Sequence, residues 1–298
     1  MRGLIRVFGM DHMSNLRNSS TAWQRFKKHK AALFSLYLLG VLITAVLVLP
    51  EFSPHTYETT DWGAIFSAPT WNNGHWFGTD ELGRDVFVRT LIGGRVSILV
   101  ALLASTVSVV IGVSYGALAG FIGGRVDQWM MRWVDILYSL PFMFFAILLM
   151  TFFGRHLSLL FIAIGAISWL DMSRIVRGQT LSLKHKEFIE AARVCGVRTP
   201  QIIWRHIVPN TLGIVAIYTT LTIPSVILTE SFLSFLGLGV QEPLTSWGVL
   251  INQGAQNMSV AWWTLIFPAV FLISTLYCCH FIGDGLRDAF DPKDNASC

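Results

Sequence analysis

Apolar residues gather into six stretches along this chain, 31–50, 96–121, 129–153, 157–170, 212–240 and 262–283, with shorter polar segments between them. Roughly 20 helical residues cross a hydrocarbon core of about 30 Å, so five of the six predict transmembrane helices. The stretch 157–170 is short for a crossing and reads equally as a buried or re-entrant segment. Pro141 and Pro224 fall inside the third and fifth stretches, where proline kinks a helix and frees backbone carbonyls. Gly112, Gly116 and Gly120 recur at every fourth residue of the second and predict a close approach by a neighbouring helix, as in ordinary intramembrane packing.

The polar segment before the fifth stretch has a periodicity of its own. Phe188, Ala191, Ala192 and Cys195 stand at i, i+3, i+4 and i+7, one apolar stripe on a short helix, with Glu187, Glu190 and Arg193 off it. Gly196 is a helix stop, because glycine takes the left-handed conformation at little cost. Thr199 then suits an N-cap and Pro200 a first helical position. The pattern is helix, glycine turn, helix. Ahead of the second stretch, residues 77–85 lead into a helix for which Thr79 or Asp80 is the expected cap.

Charge decides how many times the chain crosses. Charged residues are 13% of the sequence, about half the share of a soluble domain, so the surrounding medium is lipid. With six spans and the N-terminus inside, only Arg84, Arg89, Arg95 and Arg155 of the 22 basic residues fall outside. Removing the fourth span would export Arg174, Arg177, Lys184, Lys186, Arg193, Arg198 and Arg205, against the positive-inside rule. The expected fold is therefore an all-α polytopic membrane protein with six transmembrane helices and both termini cytoplasmic. Its parts are a cytoplasmic arm at 1–30, a first span at 31–50 and an outer connection at 51–95. A transmembrane domain at 96–283 contains the inner loop 171–211, and 284–298 form a cytoplasmic tail. The net charge of +4 reflects topology and an acidic leaflet rather than nucleic acid.

Enzyme constellations are missing. No G-x-x-x-x-G-K-[ST] loop is present, so no nucleotide hydrolysis is expected from this chain, nor is there an H-E-x-x-H motif or paired C-x-x-C. His55 and His75 on the outer side could touch a metal, but isolated loop histidines are far more often solvated, and no metal or cofactor is expected of this chain. Cys195, Cys278, Cys279 and Cys298 fall in inner segments, where free thiols are the default. Asp135 and Glu230 are intramembrane carboxyls, costly in lipid and so candidates for a translocation path. A structural role stands beside that one: Asp135 as an i,i+3 partner of Arg132, Glu230 as an acceptor from a neighbouring kinked helix. Two rival functions remain open. The two carboxyls could serve an ion-coupled secondary transporter, or the basic helix–turn–helix could bind DNA, although both of its ends are tethered to the membrane.

Glu190-Ala191-Ala192, then Gly196, then His206-Ile207-Val208-Pro209 resembles the EAA loop of binding-protein-dependent ABC importer permeases. The family pattern ends I-x-L-P; His206 and Val208 replace its aliphatic positions, as in the peptide-importer branch. Residues 77–85 (F-G-T-D-E-L-G-R-D) are similar to a segment of the peptide/nickel permeases, as are Asp135 with Ser139 and Pro141, the run 230–239, Trp247-Gly248, and 283–288 with Asp291-Pro292. The run 168–179 is most similar to the oligopeptide importers; dipeptides, murein peptides or nickel are the alternative cargoes. The resemblance implies a type I ABC importer permease fold in the bacterial cytoplasmic membrane. It also implies a homologous second permease, two ABC ATPase subunits that use ATP and Mg, and a periplasmic peptide-binding protein. Phe188, Glu190, Ala191, Ala192, Cys195, Gly196 and Pro209 would then couple the chain to the ATPases.

Overall fold

A computed structural model describes residues 23–71, 74–154 and 157–290. Most of the basic arm, Arg155, and the tail with Asp291, Pro292 and Cys298 lie outside the described residues. Everything regular in the described part is helical. The helices are α1 (Lys30–Phe52), α2 (Val86–Ile122), α3 (Gly124–Ser139), α4 (Phe142–Phe153) and α5 (Leu157–Leu183), followed by α6 (Glu187–Val194), α7 (Thr199–Ile202), α8 (Val208–Phe235), α9 (Trp247–Gln256) and α10 (Trp263–Phe290). Five spans are long and apolar enough to cross a membrane among the described residues, and six if α3 and α4 form one broken span.

Four boundaries differ from the hydrophobic pattern, each for a local reason. α2 starts ten residues before the apolar stretch because Asp85, not Thr79 or Asp80, caps it by accepting from the Val88 N–H at 2.8 Å. Asp80 instead closes a tight turn, accepting from the backbone N–H of Leu82 and of Arg84, both at 2.9 Å. Pro141 does more than kink the third stretch: α3 and α4 meet there at 74°. The fourth stretch belongs to a helix long and apolar enough to cross a membrane, since α5 runs on through Asp171, Arg174 and Arg177. Those arginines are neutralised by α3, where Arg177 pairs with Asp127 at 2.5 Å and Arg174 with Asp135 at 2.7 Å. The segment that links α5 to α8 accordingly begins after Leu183. At the far end α8 stops at Phe235 in a glycine-terminated turn, with Leu238 N–H bonded to the Leu233 carbonyl, short of the expected residue 240. It is helical through Pro224.

α2 is the central post. Gly112, Gly116 and Gly120 lie flat against α5, facing Met172, the Ser173 carbonyl and Thr180. A Cβ at Gly116 would collide with that carbonyl, so Gly116→Leu is expected to cost at least about 1–3 kcal/mol through overpacking. A thermal-unfolding midpoint in detergent unchanged by the substitution would refute this packing. Higher up α2, Trp247 is wholly buried and donates its indole N–H to the Thr90 carbonyl at 2.9 Å. That bond ties the short helix α9 into the main core, which runs through Leu91, Val100, Ala104, Ile164, Ile227 and Leu233.

Candidate coupling site

The segment between α5 and α8 folds onto the place where α2 and α5 finish and α8 begins. Ile189, Ile202, Ile203 and Ile207 are buried there together with Val113, Ala117, Phe121, Met172, Val176 and Val215. Arg193 adds a cation–π contact, its guanidinium 4.9 Å from the centre of the Phe121 ring. α6 is thus pinned along one edge.

The pinned edge is not the stripe that the spacing picks out. Ile189 faces inward, with Ala192 and Val197 packed beside it, while Phe188, Ala191 and Cys195 are exposed. Val194, 89% exposed, extends that outer face, and Trp204 lies exposed on the following turn. Of the predicted apolar residues, then, only Ala192 joins the span ends. Spacing alone does not single out Ile189, because its i, i+3 pairing with Ala192 is as good a helical stripe as that of Phe188 with Ala191. Glu190 and Glu187 occupy the first turn of α6, where the positive end of the helix dipole favours carboxylates.

Gly196 fills its expected role with a specific geometry. At φ +76° it donates its N–H to the Arg193 carbonyl at 3.0 Å, and Val197 donates to Ala192 at 3.1 Å. This is the paired-bond Schellman ending of a helix. The second helix begins at Thr199 with Arg198, not Thr199, in the cap position and without a side-chain cap bond. It joins α8 through a π-helical turn, Ile203–Ile207, in which Val208 N–H reaches the Ile203 carbonyl five residues back. Pro209 explains the widening, having no N–H to give to Arg205. The Asn210 side-chain amide donates to the His206 carbonyl at 2.6 Å. Residues 199–235 are consequently one continuous helical rod.

The carboxyls of Asp135 and Glu230 make contacts of their own. Asp135 is exposed and pairs with Arg174 of α5 rather than with Arg132; Arg174 also covers the Tyr138 ring at 4.4 Å. Glu230 is 0% exposed. Its oxygens accept from Ser97 Oγ of α2 at 2.9 Å and Ser234 Oγ at 2.7 Å, and Ser97 Oγ in turn accepts from the Trp247 N–H at 3.3 Å. The carboxyl therefore joins α2, α8 and α9.

A second polar cluster clasps the opposite end of the molecule. Asp80 Oδ2 accepts from Arg84 Nε at 2.8 Å and also from Arg89, which is 1% exposed. Arg84 reaches Glu242 at 2.9 Å, and Arg89 reaches Gln253 at 3.3 Å. Burial pushes the Glu242 carboxyl up, but the hydrogen bond and charge of Arg84, with the charge of Arg89, hold it below its ordinary value. Thr79, in the same segment, accepts from Trp263 Nε1 through its carbonyl at 3.1 Å.

Taken together, the long apolar helices and the small-residue seam define a multi-pass helical membrane protein. Residues 112–294 match the inner membrane component of binding-protein-dependent transport systems, and residues 19–69 match the N-terminal transmembrane domain of oligopeptide transport permease C. The chain belongs to that family of transport-system inner membrane components. It is 59% identical to the oligopeptide transport system permease protein OppC of Haemophilus influenzae, over 92% of this chain and 88% of that one. Against OppC of Escherichia coli K12 the figures are 58%, 92% and 90%. The dipeptide transport system permease protein DppC of Bacillus subtilis is 44% identical over 94% of this chain and 87% of its own.

Proposed function

We propose that this chain is one of two permease subunits of an ATP-driven importer that moves oligopeptides across the bacterial inner membrane. In this reading α3 and α4 form one broken span, six spans cross in all, and both termini are cytoplasmic. Residues 96–283 are the type I permease domain, 1–30 a cytoplasmic arm, 51–95 the periplasmic connection and 284–298 a cytoplasmic tail. A homologous permease and two ATPase subunits complete the machine, the ATPases supplying ATP and Mg chemistry, and a periplasmic binding protein delivers peptide. The kinship with oligopeptide permeases carries the choice of cargo over dipeptides or nickel.

The observation that carries the coupling role is the two-sided build of α6. Ile189 is locked to the span ends, and the opposite face, Phe188, Ala191, Val194 and Cys195, is apolar and exposed. Exposed apolar clusters of this kind mark interaction surfaces. ATPase closure pushing on that face would reach α2, α5 and α8 as a rigid-body shift. Glu190 stands in the first turn of α6, Gly196 ends that helix, and Pro209 opens the turn that feeds α8.

Cys195 provides the test, being an exposed thiol whereas Cys278 and Cys279 are buried. In a Cys298→Ser background, a thiol-to-amine crosslinker applied to the mildly solubilised complex should join Cys195 to an ATP-binding subunit identified by mass spectrometry. Cys195→Ser should abolish the product, and Val194→Asp should weaken ATPase recovery several-fold. A product unaffected by Cys195→Ser, or preparations without an ATPase, would reject the docking role.

A further inference from the structure

The connection between α1 and α2 assembles three metal-ligating side chains that the importer reading leaves unused. His55 follows α1, His75 lies twenty residues later, and Asp85 caps α2. One ligand atom from each falls within 4.8 Å of the others, a grouping with no second example among the described residues. The His55 and His75 rings stack with centroids 4.2 Å apart and planes 20° from parallel. Sequence separation makes the two histidines look isolated; the fold makes them neighbours.

Each side chain is already partly positioned. Asp85 Oδ1 is held by the Val88 N–H at 2.8 Å, leaving Oδ2 for His75 Nδ1, also at 2.8 Å. His75 and Asp85 are buried. His55 Nε2 is buried with no hydrogen-bond partner, a condition that costs a polar atom about 1–3 kcal/mol. Stacking on a second imidazole does not relieve it, because a ring face offers no strong acceptor to that nitrogen.

A bound cation would. Two imidazoles and one carboxylate are the donors of a zinc-class divalent ion, whereas magnesium and calcium favour oxygen alone. Ligand atoms on a tetrahedral ion with bonds of about 2.0 Å stand about 3.3 Å apart. That spacing lies between the 2.8 Å His75–Asp85 contact and the 4.8 Å limit of the cluster; because an imidazole lone pair lies in its ring plane, closing the site also turns one ring out of the present near-parallel stack. The fourth position would be left to water.

We infer that His55, His75 and Asp85 bind one zinc-class divalent cation, which clasps the segment leaving α1 to the first turn of α2. The ion is structural: it cross-links two points thirty residues apart and takes no part in moving cargo.

The test uses the full-length chain with its co-purifying subunits, stripped by a chelator and dialysed against zinc alone. One zinc per chain above the His55→Gln variant is expected, with imidazole ligation in the X-ray absorption spectrum. Zinc, but not magnesium, should raise the parent's unfolding midpoint by several degrees. His55→Gln should keep the zinc-free midpoint yet lose that rise, while His185→Gln, altered at an exposed histidine, keeps both the ion and the rise. Equal zinc content in the parent and His55→Gln, or a zinc-dependent rise that survives His55→Gln, would overturn the assignment.

Discussion

Asp80→Ala is expected to destabilise the folded chain by about 3–5 kcal/mol, the usual cost of stranding a buried charge by removing its partner. Two guanidiniums share the Asp80 carboxylate, Arg84 and Arg89, and both are buried. Without it, Arg89 keeps, among the described residues, Gln253 at 3.3 Å and a distant Glu242 at 3.8 Å. The turn suffers as well, because the N–H groups of Leu82 and Arg84 lose their acceptor. Glu242→Gln is the matched control: its side chain is half exposed, so its loss should cost under about 1 kcal/mol. Unfolding midpoints in detergent and the yield of each variant in membranes measure both. Near-equal midpoints for the two variants would remove Asp80 from its central place in the cluster.

Gly196→Pro should lower peptide uptake about tenfold or more while leaving the amount of protein in the membrane unchanged. Proline holds φ near −65° and has no N–H, whereas this position needs φ +76° and a bond to the Arg193 carbonyl. The turn between α6 and α7 must therefore rearrange, and the exposed face with it. The α2–α5 seam is independent of that turn, which is why membrane content should hold. Gly196→Ala separates conformation from bulk. An added Cβ meets nothing within 4 Å, so the cost is only the left-handed backbone, about 1–2 kcal/mol, and uptake should fall far less than with proline. Parental uptake in Gly196→Pro would end the coupling role proposed for this turn.

What the sequence made legible was what depends on near neighbours and on long averages. The apolar stretches located the spans, the four-residue glycine spacing anticipated the α2–α5 seam, and Gly196 marked its turn. What it concealed depends on residues far along the chain. Arg174 and Arg177 looked like the end of a span because Asp135 and Asp127, which pair with them, arrive from α3. Arg132 seemed the natural partner of Asp135 only because it is three residues away. On a helix as short as α6, two apolar stripes fit equally well, and the surrounding span ends select Ile189 over Phe188. Asp85 replaced Thr79 and Asp80 as the cap because Asp80 is committed to its own turn and to two arginines. In each case, tertiary partners decided between locally equivalent options.

The continuity of the rod 199–235 has a mechanical consequence. At 1.5 Å per residue, the 31 steps from Thr199 to Glu230 span about 46 Å. Glu230 is moored by hydrogen bonds to α2 and, through Ser97, to α9, which makes it a natural fulcrum. A tilt of only about 5° around that point would swing the Thr199 end through about 4 Å, by the same helical rise. In the proposed importer, a few ångströms of travel at the Thr199 end would turn into a small rotation at the far end, the work of a long-armed lever.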